Sequence, residues 1–321
     1  MLAVKLFGAT SAYALAWWVS RHEGPAAYGR FELALTVLTI AALAARLGLD
    51  GVLVKWMAAS KVKGEEGVQR RLVGRVMLVT GLLAAPLLAV LMWEASPSLT
   101  SWLGDEMLAQ TWPWVAAGVP ILTMWGVSAE ALRGLSRMKS HALLQPGIVA
   151  AGAAVCMVGL GWNIVSSYAA SLVASALLGA VLLVTALPMR TKAPAALSSE
   201  WGWKPMLQTG WPMLLGSAMF LVMSWTDTLL LGHYLEEGQV GIYRVAFRMA
   251  ALVTLVQAAV NSYAAPLFAE RHALGDRAGL RAALRQTTLL NVAFSVPAFG
   301  VLVAVPAWWM GWFGEAFEAG A

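Results

Sequence analysis

This 321-residue sequence has few charged residues and a single cysteine. Only 12% of its residues are charged, whereas 60% are hydrophobic and the mean hydropathy is +0.69. This composition lies far outside that of soluble domains and predicts a polytopic, all-α membrane protein. Cys156 is the single cysteine, so the chain has neither an internal disulfide framework nor a cysteine-based metal site.

Motifs for enzymatic chemistry are missing as well. The four histidines are widely separated and show no metal-ligand spacing, and the sequence has no phosphate-cradling glycine loop and no nucleophile elbow. We therefore expect neither an enzyme nor a resident cofactor.

The net charge of +5 does not indicate nucleic-acid binding, because the basic residues are scattered between hydrophobic runs. A membrane glycosyltransferase stays open as the alternative from another class, although the short polar connections leave it little room.

Long apolar runs dominate what is present. A helix needs roughly 20 residues to cross a bilayer. Nine runs meet that length approximately, and we expect each of them to be a transmembrane helix. They are residues 2–20, 31–58, 76–93, 109–132, 142–161, 165–187, 206–232, 241–266 and 286–309.

Lys and Arg alternate between the connections. Each connection after an even-numbered run is basic, while those after odd-numbered runs carry almost no Lys or Arg apart from Arg21 and Arg30. By the positive-inside rule the N-terminus is cytoplasmic and the C-terminus is external. The basic residues of the even connections are Lys61, Lys63, Arg70, Arg71 and Arg75, then Arg133, Arg137 and Lys139, then Arg190, Lys192 and Lys204, then Arg271, Arg277, Arg281 and Arg285.

Tryptophans gather near the external ends of these runs. An aromatic belt at the headgroup layer accounts for them, and sugar stacking is the alternative. They are Trp93, Trp102, Trp112, Trp114, Trp308, Trp309 and Trp312.

A short motif recurs at two external turns. "EGPAAYGRFELA" begins at Glu23 and "EGQVGIYRVAFR" begins at Glu237, so that Arg30 matches Arg244 with the same spacing. Six runs separate the two copies, which predicts a repeat of six-helix units with a substrate site at their interface. We expect an N-terminal bundle at 1–189, a cytoplasmic linker at 190–205, and the first three helices of a second bundle at 206–321, in a sequence that is a piece of a longer protein.

Two stretches resemble a known family. "EGPAAYGRFELALTVLTIAALAARLGLDGVLVKWMA" has a Gly-x-x-x-Tyr-Gly turn and a Gly-Leu before a basic position, here Lys55. "WTDTLLLGHYLEEGQVGIYRVAFRMA" has Asp227, Gly232, Gly241 and Tyr243 in the family's arrangement. Both are similar to the oligosaccharide flippases of prokaryotic polysaccharide export, within the superfamily that includes the multidrug and toxic compound extrusion transporters.

The resemblance implies a function. Members flip a polyprenyl-diphosphate-linked oligosaccharide across the cytoplasmic (inner) membrane by alternating access, among membrane lipids and alongside glycosyltransferases and a polysaccharide polymerase. Related alternatives are a multidrug or cation exporter and a peptidoglycan-precursor flippase. A diphosphate head calls for cationic side chains in the cavity, and Arg suits bidentate contact.

Three charges in the seventh and eighth runs are candidates for that cavity. A charged residue at membrane depth costs roughly 2.5–3.5 kcal/mol on insertion scales and usually faces a bundle interior or a cavity. Arg244 and Arg248 lie one turn apart on the same helix face, and we expect Arg248 to contact the substrate head. Asp227 has two interpretations, an ion pair with Arg244 or a role in proton or cation coupling.

Three charged residues of the second run are considered next to these, Arg46, Asp50 and Lys55. Arg46 and Asp50 are four residues apart, so that an ion pair along the helix explains Asp50. Arg46 and Lys55 are further candidates for the cavity, while snorkelling to cytoplasmic headgroups is the alternative for Lys55.

Overall fold

Helices make up nearly all of the computed structural model, which describes residues 2–62, 66–103, 106–187, 201–273 and 276–320. The predicted all-α architecture is confirmed, and the described ranges contain no strand. The α-helices are α1 (Leu2–His22), α2 (Gly24–Arg46), α3 (Leu49–Val62), α4 (Glu66–Met77), α5 (Ala85–Leu103), α6 (Trp112–Gly134), α7 (Met138–Ala142), α8 (Pro146–Leu160), α9 (Ile164–Ala186), α10 (Trp203–Tyr234), α11 (Glu237–Ala273), α12 (Arg277–Ala304) and α13 (Pro306–Gly311).

The predicted membrane runs correspond to these helices, with one correction in the second run and an interruption at Val305 near the end of the ninth. Within the described ranges, six helical segments are long and apolar enough to cross a membrane, and α8 is a shorter apolar helix of 15 residues. The third run is a continuous helix whose middle turns, Leu78–Ala84, are π-helical. The predicted linker at 190–205 lies mostly outside the described residues, so the bundle boundaries remain predictions.

The correction concerns the second run, which is two helices rather than one. It breaks at Leu47 and Gly48, which have φ values of 54° and 68° in the left-handed region. A side chain on Gly48 would meet the backbone carbonyl of Gly210 on α10. Glycine tolerates both this conformation and this approach, so Gly48 follows the left-handed C-cap Leu47 at the end of α2 and lets α10 pack against the break.

The two copies of the repeated motif lie against each other at the N-terminal ends of α2 and α11, which the charge pattern predicts to be external. A Cβ on Gly29 would overlap the carbonyl of Glu237, and a Cβ on Gly241 would overlap the carbonyl of Pro25. Small residues allow such backbone contact, which is how helices in membranes gain packing energy. Arg30 and Glu237 form an ion pair across the same contact, with 3.6 Å between Nε and Oε2. The repeat therefore forms a seam between the two halves of the chain.

Replacing Gly241 by Ala tests the seam. Ala stabilises a helix relative to Gly by up to about 1 kcal/mol, but here its Cβ would push α2 and α11 apart, at a cost of about 1–3 kcal/mol. Gly238→Ala is the matched control, because a Cβ there meets nothing within 4 Å. Thermal unfolding in detergent should show a lower Tm for Gly241→Ala and an unchanged or higher Tm for Gly238→Ala. Equal Tm values for the two variants would contradict the close approach.

Candidate functional site

A buried carboxylate lies just inside the seam. Glu32 on α2 has no exposed side-chain surface, and its two oxygens bind two arginines of α11. Arg244 donates to Oε2 from Nη2 at 2.9 Å and from Nε at 3.0 Å, while Arg248 donates to Oε1 from Nη2 at 2.8 Å. We call Glu32, Arg244 and Arg248 the Glu32 cluster. It joins the first half of the chain to the second.

Neighbouring groups satisfy the remaining polar atoms of the cluster. The Tyr28 hydroxyl donates to Oε1 of Glu32 at 2.8 Å, and Arg244 Nη1 donates to the Thr228 hydroxyl at 3.2 Å. Arg248 Nη1 donates to the carbonyl of Ala12 at 2.8 Å, and the hydroxyl of Tyr13 donates to the carbonyl of Arg248. These bonds bring α1 and α10 into the same network, as expected for a buried charge that must be paired and hydrogen-bonded.

The charges of the cluster leave a positive excess. One carboxylate faces two guanidinium groups, and the ring of Trp225 lies 4.6 Å from Arg244 and that of Tyr28 lies 5.9 Å from Arg248. Aromatic faces stabilise guanidinium ions that have lost water. Arg248 keeps 23% of its side chain exposed, whereas Arg244 keeps 8%. Arg248 is therefore the more accessible of the two guanidinium groups, while the carboxylate of Asp227 lies on the Arg244 side of the cluster, joined to it through the Thr228 hydroxyl.

Of the two interpretations of Asp227, the ion pair with Arg244 is not formed in the structure. Asp227 instead accepts the Tyr243 hydroxyl at 2.5 Å and the backbone N–H of Thr228 at 2.7 Å. Arg244 turns across the seam to Glu32, because that carboxylate is fully buried and needs both arginines as counter-ions. Thr228 links the two groups, since its hydroxyl accepts from Arg244 and lies 3.3 Å from the Asp227 carboxylate.

The candidates of the second run lie elsewhere. Arg46 and Asp50 do form the expected i,i+4 pair, with 3.6 Å between Nη1 and Oδ2, and Arg46 also donates to the carbonyl of Leu122 on α6 at 3.3 Å. Lys55 is exposed on α3. Arg46 is 14 residues beyond Glu32, or about 20 Å along a helix. The structure thus unites Arg244 and Arg248 but not Arg46 or Lys55, and their roles remain predictions.

Glu32 is the residue that the sequence analysis missed. The signal was available, because Glu32 is an acidic residue inside the predicted run 31–58 and the criterion applied to Asp50 and Asp227 applies to it equally. It lies within the quoted motif, two residues after Arg30. No group of three or more His, Cys, Asp or Glu side chains that would suit a metal ion is found among the described residues.

Glu32→Gln should strongly destabilise the protein. Removing one partner of a buried ion pair costs about 3–5 kcal/mol, because the opposite charge stays buried without compensation. Glu237→Gln is the control on the same seam, since its pair with Arg30 is longer and partly exposed, and such pairs contribute up to about 1 kcal/mol. Thermal unfolding in detergent gives the comparison. A Tm for Glu32→Gln equal to that of Glu237→Gln would refute the assignment of Glu32 as the central counter-ion.

Comparisons with known proteins agree with this architecture. A protein-family model described as "Polysaccharide biosynthesis protein" matches residues 9–272. A solved structure described as the inward-facing conformation of a multidrug resistance MATE family transporter of the MOP superfamily aligns with a TM-score of 0.74 and 17% sequence identity, over 96% of this chain and 74% of that chain. At this identity the likeness establishes the fold. No curated protein matches the chain.

Proposed function

Because the chain belongs to the polysaccharide biosynthesis protein family, we propose that it is a membrane transporter that flips a polyprenyl-diphosphate-linked oligosaccharide across the prokaryotic cytoplasmic membrane. The family match and the fold agree with the resemblance drawn from residues 23–58 and 225–250. The Glu32 cluster is the observation that carries the proposal. It places two arginines, one of them partly exposed, at the seam between the two halves of a transporter fold.

The chemistry of the substrate fits this arrangement. The lipid tail of such a substrate stays in the bilayer while its charged, hydroxylated head crosses, so the protein must compensate the charge of the diphosphate. Arginine forks bind phosphate oxygens in bidentate fashion, and each charge-assisted bond is stronger than a neutral one. A diphosphate carries more negative charge than Glu32 and would compete with it for Arg248 and then for Arg244.

This competition gives a route to alternating access. With Glu32 bound to both arginines, α2 and α11 are held together and the external ends of the two halves stay in contact. Exchange of Glu32 for a diphosphate on the arginines would release that hold, because the carboxylate is the group that α2 contributes. A ligand shifts a conformational equilibrium only through its differential affinity for the two states. Here the difference lies in the ion pairs of Arg244 and Arg248, which are made either to Glu32 or to the substrate.

The alternatives fit the cluster to different degrees. A cation exporter needs acidic or aromatic cavity walls, whereas the cluster has two guanidinium groups for one carboxylate. A peptidoglycan-precursor flippase transports a substrate with the same lipid-linked diphosphate. It differs from the proposed oligosaccharide flippase only in the sugar that the diphosphate carries. Glycosyl transfer requires catalytic groups that neither the sequence motifs nor the cluster supplies.

Replacing Arg248 by Gln tests the proposed substrate contact. We expect at least a roughly tenfold loss of flipping of a fluorescent lipid-linked oligosaccharide in liposomes, since a hydrogen bond to a charged group contributes about 1.5–3 kcal/mol. Arg248→Lys should retain intermediate activity because the charge remains and the fork is lost. Arg281→Gln, on an exposed position of α12, is the control and should flip at the wild-type rate.

Two results would overturn the proposal. One is a flipping rate of the Arg248→Gln variant equal to that of the wild type, which would exclude this arginine from the substrate path. The other is efflux of cationic drugs by the wild-type protein without any flipping of the lipid-linked oligosaccharide.

A crosslink across the seam tests the required motion. Cysteines at positions 30 and 237, in a Cys156→Ser background, can be bridged through two disulfides by a short bifunctional methanethiosulfonate, because the native side chains touch there. Flipping should stop when the bridge forms and return when a reductant cleaves it. The same double variant without reagent is the control. Full activity of the bridged protein would show that the external ends need not separate.

A further inference from the structure

A recess opens at the external end of the first half, away from the Glu32 cluster. It encloses about 270 Å³ between the start of α2, the start of α6 and the turn that leads into α9. Its walls combine apolar side chains with six polar ones of different chemistry: one carboxylate, one guanidinium, two amides and two hydroxyls. These six belong to Glu23, Arg30, Gln110, Thr111, Asn163 and Ser166.

An apolar slot continues from this recess into the bundle. It encloses about 110 Å³ between α2, α6 and α9, and Leu35, Leu38 and Leu172 are among its walls. Phe31 and Val165 border both the recess and the slot. The two spaces therefore adjoin, and together they run from a partly polar external end to an apolar end towards the membrane interior.

Trp114 is the wall that these spaces share. It borders the recess, the slot and a third, shallow groove that runs along α9 past Ala170 and Leu177. About half of its surface, 49%, is exposed. The outward face of α9 consists of exposed apolar residues such as Val173 and Leu177, as expected for a helix in contact with lipid. An aliphatic chain in the bilayer thus has lateral access to the slot beside Trp114.

We propose that the recess and slot bind a glycolipid, with its sugar head in the recess and an alkyl or isoprenoid chain in the slot. The mixture of donors and acceptors in the recess matches sugar hydroxyls, which both donate and accept hydrogen bonds. The recess has one acidic and one basic side chain, and Arg30 already pairs with Glu237, so the walls show no positive excess for a phosphate head. A tryptophan at the boundary offers an apolar face to a sugar ring and a polar N–H to water.

This site is separate from the proposed transport path. Phe31 faces the slot while Glu32, the next residue, faces the arginines of α11, because successive helical residues point about 100° apart. None of Glu32, Arg244 or Arg248 borders the recess or slot. Binding here does not depend on the diphosphate contact, so each proposal stands or fails by itself.

Photo-labelling provides the test. The probe is an alkyl glucoside with a diazirine in its chain, applied to the whole protein in nanodiscs of phosphatidylglycerol and phosphatidylethanolamine. Labelled peptides are identified by mass spectrometry. We expect label on α6 and α9 beside the slot, displaced by unlabelled alkyl glucoside but not by the same chain with a sulfobetaine head.

Variants locate the site. Ala169→Trp fills the slot, since Ala169 borders it, whereas Ala174→Trp is the matched control on the outer groove of the same helix. Labelling should fall at least fivefold in the first variant and stay unchanged in the second. Glu23→Gln replaces a charged acceptor by a neutral one, so unlabelled glucoside should compete roughly tenfold more weakly. Arg248→Gln should label as the wild type does, whatever its flipping rate.

Three outcomes would overturn the inference. Label that persists in Ala169→Trp would place the chain elsewhere. Equal displacement of the label by the sulfobetaine would mean that the slot binds any alkyl chain and that the recess does not recognise the sugar. Absence of label above the background set by the surrounding phospholipid would mean that the path holds no glycolipid.

Discussion

One buried carboxylate constrains how the two halves of this chain meet. Glu32 has lost all contact with water, and such a charge is tolerated only with counter-ions and hydrogen bonds around it. Arg244 and Arg248 supply the counter-ions from α11, and Tyr28 supplies a hydroxyl from α2. Because each of these groups would be destabilising without the others, α2 and α11 are held in one register while the cluster is intact.

The backbone contact next to the cluster makes that register possible. Gly29 and Gly241 let α2 and α11 approach until only hydrogen atoms separate one helix from the other's carbonyls. At this spacing Arg244 of α11 contacts the Glu32 carboxylate of α2 through both Nε and Nη2. Close packing and ion pairing are therefore coupled, since a larger residue at either glycine would move the guanidinium groups away from Glu32.

The repeat is symmetric in sequence and asymmetric in its contacts. Arg30 and Arg244 occupy equivalent positions, yet Arg30 pairs with Glu237 at the partly exposed end of the seam and Arg244 pairs with Glu32 in its interior. The second copy carries Arg248 where the first has Ala34, and the first carries Glu32 where the second has Ala246. The two charges that differ between the copies, Glu32 and Arg248, pair with each other across the seam. A transporter that opens and closes this seam would act on these contacts.

Composition and periodic patterns by themselves determined the class of fold, the helix positions and the repeat, because membrane helices are defined by length, hydropathy and local hydrogen bonding. They also placed Arg244 and Arg248 on one face and paired Arg46 with Asp50, since both relations depend on local helix geometry alone. The partner of Arg244 was not predictable in the same way. Asp227 is nearer in sequence than Glu32, and only the packing of α2 against α11 brings the more distant carboxylate within 3 Å. Gly48 is a local signal for the helix end at Leu47, but the close approach of Gly210 on α10 to this break is a tertiary contact that no local pattern encodes.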